Sequence, residues 1–191
     1  MQKIQSDTPP EARRRSDGHG VEETPSAWVT RFAFLVPPGG RVLDLAAGGG
    51  RHARYFLARG HGVTAVDCDI SRLDDLGGQP GVEIQAADLE TAGGWPLGAR
   101  RFAGVVVANY LHRPIMADIV ASVAPSGALI YETFAVGNER FGKPSNPDFL
   151  LRPGELLAAV AGLLRVVAYE DREIDAPRPA MVQRIAAVRL A

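Results

Sequence analysis

The sequence predicts an α/β protein with a doubly wound, seven-stranded sheet that is mostly parallel and ends in a C-terminal antiparallel hairpin. Three observations support this fold class. Short apolar runs alternate with helix-like stretches along most of the 191 residues, as in successive β–α units. Residues 102–108 (FAGVVVA) are apolar throughout, which is typical of a parallel strand covered on both faces. The last two apolar runs are joined by too few residues for a parallel crossover, so they must pair antiparallel.

Apolar periodicity and the positions of Gly and Pro give the individual elements. We predict strands over residues 42–45, 63–66, 82–86, 102–108, 128–134, 164–174 and 181–190. We predict helices between Pro25 and Pro37 and over residues 51–59, 71–76, 115–123 and 154–163. The segment 135–152 (AVGNERFGKPSNPDFLLR) is a long polar connection, and connections of that length are usually functional or disordered.

The composition indicates one ordinary globular domain in a reducing compartment. Lys and Arg total 21 against 22 Asp and Glu, so no overall charge favours nucleic acid or an anionic membrane. Cys68 is the only cysteine, which excludes an internal disulfide. The polar N-terminus lacks a signal-peptide core, and no run of about 18 apolar residues occurs. We expect a mobile tail over residues 1–24 and a cytoplasmic domain over residues 25–191, with no membrane association.

The stretch 41–69 (RVLDLAAGGGRHARYFLARGHGVTAVDCD) contains the predicted ligand site. Three glycines at positions 48–50 turn the chain between a strand and a helix, whose N-terminus offers unpaired N–H groups. Asp44 lies near the end of the first strand, and Asp67 follows the second. An acid at the end of the second strand suits the two hydroxyls of a ribose. The stretch therefore predicts a nucleoside-like ligand.

A dinucleotide is one candidate ligand, because residues 48–53 (GGGRHA) satisfy the pattern G-x-G-x-x-A. Two features of the sequence count against it. The chain has no room for the substrate domain or extended loops that usually accompany a dinucleotide fold. It also lacks the Tyr-x-x-x-Lys pair of short-chain dehydrogenases, since no tyrosine is followed four residues later by lysine.

A second spacing in this stretch, Asp44-x-Ala46-x-Gly48-x-Gly50, resembles the first motif of class I S-adenosylmethionine-dependent methyltransferases, with Ala46 where the family commonly has glycine. Further matches to that family are Asp67, 87–89 (ADL), 109–112 (NYLH), 124–129 (APSGAL) and the terminal hairpin, which distinguishes this Rossmann-like fold from dinucleotide-binding relatives. Within the family, the segment 144–156 is similar to the region after strand five in small bacterial tellurite-resistance methyltransferases.

This resemblance implies a site for S-adenosylmethionine, with S-adenosylhomocysteine as the product. Asp44 is expected to accept from the cofactor's ammonium group, directly or through water. Asp67 is expected to bind both ribose hydroxyls, and Asp88 the adenine amine, with capping of a turn as the alternative role for Asp88. The cofactor contacts implied in this way are Asp44, Ala46, Gly48, Gly50, Asp67, Cys68, Asp88, Leu89 and Asn109.

Methyl transfer from a sulfonium depends mainly on alignment, and it needs a general base only when the acceptor must lose a proton. The candidate catalytic residues are Tyr110, His112 and Glu132. No Cys/His grouping has the spacing of metal ligands, so no metal is predicted. We predict a methyltransferase for a small-molecule acceptor, with the loop 135–152 and the helix that contains Trp28 as a lid. A non-catalytic regulatory module and an RNA or protein methyltransferase are the alternatives, and the oligomeric state is left open.

Overall fold

The computed structural model describes residues 24–91 and 94–191, and the strands in these ranges form one seven-stranded sheet. The strands are β1 (Val42–Leu45), β2 (Val63–Asp67), β3 (Val82–Ala86), β4 (Phe102–Ala108), β5 (Val123–Phe134), β6 (Arg165–Ile174) and β7 (Ala180–Val188). Their order across the sheet is β3-β2-β1-β4-β5-β7-β6. Strands β1 to β5 pair in parallel, and β7 pairs antiparallel with both β5 and β6. The predicted fold class is confirmed.

The described helices are shorter than the sequence predicts. They are α1 (Ala27–Phe32), α2 (Arg51–Leu57), α3 (Met116–Ala121) and α4 (Glu155–Val160). The prediction of a helix over residues 71–76 is wrong, because only one 3₁₀ turn, Asp74–Leu76, forms there. The Asp69 carboxylate accepts a hydrogen bond from the Ser71 N–H at 3.0 Å, and this local turn replaces the first turn of a helix.

The helices cover both faces of the sheet, as a doubly wound fold requires. Helices α1 and α2 pack on one face through side chains such as Trp28 and Phe56, and α3 and α4 pack on the other through Ile119 and Leu156. The Trp28 indole N–H donates to the Ile185 carbonyl at 3.2 Å, so α1 is fixed to the buried strand β7. Packing is therefore the role that the structure gives to Trp28.

The predicted mobile tail lies outside the described residues, apart from Thr24. In the described part of the chain, no helix has the length and the apolar composition needed to span a bilayer.

Candidate functional site

The turn after β1 is built from residues in the left-handed backbone region. Ala46, Gly48 and Gly50 have φ angles of +54°, +56° and +74°. A Cβ added at Gly48 would have no atom within 4 Å, so this glycine borders open space. A Cβ at Gly50 would lie 2.6 Å from Leu73 Cδ2, so this glycine is needed for internal packing. Ala46 adopts a conformation that costs an L-residue about 1–2 kcal/mol, which explains why glycine is common at such a position.

The carboxylate of Asp67, at the end of β2, lies directly beside this turn. Its Oδ2 accepts from the Gly48 N–H at 2.7 Å, and its Oδ1 accepts from the Asp69 N–H at 3.0 Å. The exposed Cys68 thiol lies 3.6 Å from Asp67 Oδ1. Burial, followed by the charges of Asp67 and Asp88, raises the pKa of this thiol. The sequence-predicted residues Gly48, Asp67 and Cys68 thus meet at one edge of the sheet.

Asp44 has a different environment, because only 1% of it is exposed. Its Oδ2 accepts from the Ala53 N–H at 2.9 Å, and its Oδ1 lies 3.8 Å from His52 Nδ1. The other ring nitrogen of His52, Nε2, accepts from the Ser26 N–H at 3.2 Å. Asp44 and His52 therefore connect β1 and α2 to Ser26, the residue before α1. The Asp44 carboxylate is buried below the turn and is bound to the backbone of α2.

Asp88 and Leu89 follow β3 at the same edge. Asp88 is exposed, and its Oδ1 accepts from the Glu90 N–H at 2.9 Å, which closes a local turn. The preceding Ala87 N–H donates to the Asp67 carbonyl at 2.9 Å, which places this segment next to the end of β2. Leu89 is buried. The turn-capping role of Asp88 leaves its second carboxylate oxygen available to a ligand.

The residues after β4 form the next part of this edge. Asn109 is exposed, has a left-handed φ of +56°, and donates its N–H to the Glu132 carbonyl at 3.0 Å. The Tyr110 carbonyl accepts from the Tyr131 hydroxyl at 2.9 Å, and burial raises the pKa of Tyr131 above its ordinary value. His112 is half-buried and comes immediately before a 3₁₀ turn. The hydrogen bonds to Glu132 and Tyr131 thus fix the backbone of residues 109 and 110 to β5.

Glu132 has a charged partner that the sequence did not reveal. Its Oε2 lies 3.1 Å from Arg184 Nε on the neighbouring strand β7, and the two side chains are 11% and 15% exposed. Arg184 Nη1 also lies 3.6 Å from Glu170 Oε2, and its Cζ lies 5.8 Å from the Trp28 ring centre. Glu132 therefore belongs to an ion-pair group beneath α1.

Arg113 attaches the long loop 135–152 to the segment after β4. Its guanidinium forms two hydrogen bonds with the Glu155 carboxylate, at 2.6 and 2.9 Å. It also donates to the carbonyls of Asp148 and Leu150, at 2.7 and 2.8 Å. Although burial works to raise it, the Arg113 guanidinium lowers the pKa of Glu155 below its ordinary value. The loop is thus anchored at its C-terminal end.

Replacing Arg113 with Ala is expected to release this end of the loop. Removing a two-pronged charged pair and two carbonyl bonds should lower the free energy of unfolding by about 1–2 kcal/mol. The loop amides should exchange at least tenfold faster with deuterium, while those of β1 and β4 stay protected. Because the pKa of Glu155 is lowered on folding, its contribution is complete above the ordinary value of 4.5 and is lost as the pH falls through the folded value.

Hydrogen exchange measured at pH 7 and pH 3, corrected for intrinsic rates, tests both parts of this prediction. The wild-type loop should lose protection between the two pH values, and the Arg113→Ala loop should change little. Equal protection of the loop in the two proteins at pH 7 would contradict the assigned anchor.

Gln183 on β7 is a further connecting residue that the sequence analysis missed. It is fully buried, its Oε1 accepts from the Leu156 N–H at 2.8 Å, and its Nε2 donates to Arg152 O at 2.9 Å and Asp171 Oδ2 at 3.0 Å. The two adjacent polar residues Gln183 and Arg184 in a strand that is otherwise apolar (AMVQRIAAV) were the available signal for this role. Its partners lie far away in the sequence and left no local pattern.

The left-handed turn after β1 lies near three acids, namely Asp44 in β1, Asp67 at the end of β2 and Asp88 after β3, at the carboxyl edge where open α/β sheets usually bind ligands. Solved structures place the fold within a narrower class. TehB from Haemophilus influenzae superposes with a TM-score of 0.68 at 17% identity, covering 85% of this chain and 61% of that one. This chain therefore spans less than two thirds of TehB.

Two further solved structures superpose on this chain with slightly lower TM-scores. The 1,6-didemethyltoxoflavin-N1-methyltransferase of Burkholderia thailandensis, solved with S-adenosylhomocysteine, has a TM-score of 0.62 at 23% identity, covering 86% of this chain and 76% of that one. The N-methyltransferase NodS of Bradyrhizobium japonicum has a TM-score of 0.62 at 15% identity, covering 85% and 94%. The chain thus has the fold of class I S-adenosylmethionine-dependent methyltransferases. No family model and no curated protein matches its sequence.

Proposed function

We propose that this protein is an S-adenosylmethionine-dependent methyltransferase that acts on a small-molecule acceptor. The observation that supports it best is the meeting of Gly48 and Asp67 at the carboxyl edge of the sheet. Gly48 borders open space, and the Asp67 carboxylate lies 2.7 Å from its N–H. A backbone that a ligand can approach closely, next to an acid that can accept from two hydroxyls, fits the ribose and methionine parts of this cofactor.

The other residues at the edge fit the remaining parts of the cofactor. Asp88 can accept from the adenine amine through its second oxygen, next to the Leu89 N–H. Because Asp44 is buried and already bound to the Ala53 N–H, we assign it the task of holding the turn, with any contact to the ammonium group made indirectly. The exposed Asn109 lies at the end of β4, where it can face the methionine part of the cofactor.

When bound, the cofactor supplies a methyl group on a sulfonium, so that a lone pair on the acceptor displaces S-adenosylhomocysteine as a neutral leaving group. The chain then has to align the acceptor and exclude water. Where the acceptor must lose a proton, the half-buried His112 is the better placed candidate after β4, because the Tyr110 hydroxyl is buried. Glu132 is the weaker candidate, because its carboxylate is paired with Arg184.

A small-molecule acceptor agrees with three further observations. The loop 135–152 is an ordered segment next to the end of β5, because Ala135 and Leu151 pair and Arg113 anchors residues 148 and 150. Two of the structural neighbours are named as N-methyltransferases, one of them for 1,6-didemethyltoxoflavin. With a net charge of −1, the chain also lacks a general attraction for nucleic acid.

Titration calorimetry with S-adenosylhomocysteine tests the cofactor site, with Gly48→Ala and Gly60→Ala as a matched pair. Both glycines have a left-handed φ, of +56° and +80°, and an added Cβ meets no atom within 4 Å at either. Each substitution should therefore lower the free energy of unfolding by a similar amount, about 1–2 kcal/mol. Only Gly48→Ala should weaken S-adenosylhomocysteine binding, by at least tenfold, because only its methyl group enters the proposed site. Equal affinities in the two variants would overturn the assignment.

Transfer of labelled methyl groups into a cell extract separates an enzyme from a non-catalytic binding module. For a small-molecule methyltransferase, the labelled product should persist after nuclease and protease treatment. A signal removed by either treatment would point to a macromolecular acceptor, and binding without any transfer would point to the binding module.

A further inference from the structure

A small cavity lies at the carboxyl end of β5, between the loop 135–152 and the β6–β7 turn. Its volume is about 90 Å³, and its lining residues are Phe134, Asn138, Phe141, Lys143, Arg178 and Pro179. Two of these carry positive charge, and none carries a carboxylate. Two aromatic rings supply flat apolar walls. The lining therefore suits a flat, negatively charged group.

The walls of this cavity are held in place by internal contacts. Asn138 is 1% exposed, its Nδ2 donates to the Pro144 carbonyl at 3.0 Å, and its Oδ1 accepts from the Met181 N–H at 3.2 Å. These bonds join the loop to the start of β7. The Arg178 guanidinium lies 5.7 Å from the centre of the Phe134 ring, which orients one cation along an aromatic wall.

The cavity lies close to the level of Asn109, the proposed site residue after β4. Ala108 pairs with Glu132, and the Asn109 N–H bonds to the carbonyl of Glu132, so Asn109 is level with Thr133 on β5. Phe134 is one residue further along β5, about 3 Å beyond that level. Residues two apart point to the same side of a strand, so Phe134 and Glu132 share the face that α1 and α2 cover.

We propose that this cavity binds a carboxylate group of the methyl acceptor, so that the substrate is a small carboxylic acid. A volume of about 90 Å³ is smaller than the cavity of about 150 Å³ that admits a benzene ring. It therefore accommodates the acidic group while the reacting atom extends towards Asn109. The flat guanidinium of Arg178 can form a two-pronged pair with a carboxylate. This inference rests on the proposed function, because it takes the bound carboxylic acid to be the methyl acceptor.

The test uses benzoate and its neutral isostere benzamide as probes of the full-length chain loaded with S-adenosylhomocysteine. Benzoate should bind at least tenfold more tightly than benzamide, as measured by NMR titration. Arg178→Gln should weaken benzoate binding about tenfold and leave benzamide binding unchanged. Arg165→Gln is the matched control, because Arg165 is an exposed arginine at the opposite end of the same hairpin.

The outcomes separate the two proposals. If S-adenosylhomocysteine binds but benzoate binds no better than benzamide, the carboxylate site is wrong and the methyltransferase proposal stands. The site is also wrong if Arg178→Gln retains wild-type benzoate affinity. If S-adenosylhomocysteine does not bind, the proposed function fails, and the same titrations on the unloaded chain decide the carboxylate site by themselves. Thermal unfolding of each variant checks that these exposed substitutions leave the fold intact.

Discussion

Asp67→Ala is expected to weaken S-adenosylhomocysteine binding at least 100-fold. The ribose hydroxyls would lose a charged acceptor for two hydrogen bonds, and each bond to a charged group contributes about 1.5–3 kcal/mol. A 100-fold loss corresponds to about 2.7 kcal/mol, which is within reach of even one such bond. The Asp67 carboxylate accepts from the Gly48 N–H at 2.7 Å before any ligand binds, so it is already aimed at the turn. Calorimetric titration of both proteins measures the effect.

Asp69→Ala is the control for this experiment. Asp69 is an exposed neighbour whose carboxylate accepts from the Ser71 N–H, and the Ser71 hydrogen bond lowers its pKa. Removing it should leave the affinity for S-adenosylhomocysteine within twofold of the wild type. Wild-type affinity in Asp67→Ala would show that the acid after β2 does not hold the ribose.

The second large effect is expected from Glu132→Ala, which should lower the free energy of unfolding by about 3–5 kcal/mol. Glu132 and Arg184 lie on neighbouring strands, with 3.1 Å between Oε2 and Nε, and little of either side chain reaches solvent. Removing the acid leaves a buried guanidinium whose remaining acidic partner among the described residues is Glu170, at 3.6 Å. Denaturant unfolding followed by circular dichroism measures the loss.

Two further variants define the cause of this loss. Glu170→Ala should cost less than about 1 kcal/mol, because the Glu170 contact is longer and more exposed. The double variant Glu132→Leu with Arg184→Met should recover most of the stability, since replacing both charges with apolar groups removes the unpaired charge. If Glu132→Ala unfolds like the wild type, the pair contributes nothing to stability and Glu132 becomes a stronger candidate for catalysis.

The sequence was sufficient to predict the strands of the sheet, because the signals for these strands are local in the sequence. The run FAGVVVA predicts β4 with both of its observed ends, and the short connection after Ile174 required the antiparallel pairing of β6 and β7. Where local signals competed, the prediction was wrong. The apolar spacing of Leu73 and Leu76 favoured a helix, and both residues are indeed buried, but the Asp69 turn and Gly77 leave only a 3₁₀ turn.

The candidate site was predictable only where a residue pattern is common in ligand-binding sites. Glycines after one strand and an acid at the end of the next strand form such a pattern, and the structure brings Gly48 and Asp67 together. The partners of Glu132 and Arg113 were not predictable, because Arg184 and Glu155 lie 52 and 42 residues further along the chain. Their pairing depends on the strand order and the loop path.

The position of β7 has a consequence for how the protein is made. This strand, Ala180–Val188, comes last along the chain and yet lies between β5 and β6. While synthesis proceeds from the N-terminus, β5 and β6 have no shared neighbour, and each presents an unpaired backbone edge. Arg184 and Gln183 are absent over the same period, so Glu132 lacks its arginine partner on β7 and the loop lacks one of its anchors. A ribosome-bound chain that stops before residue 180 should therefore be far more sensitive to protease than one extended past residue 188.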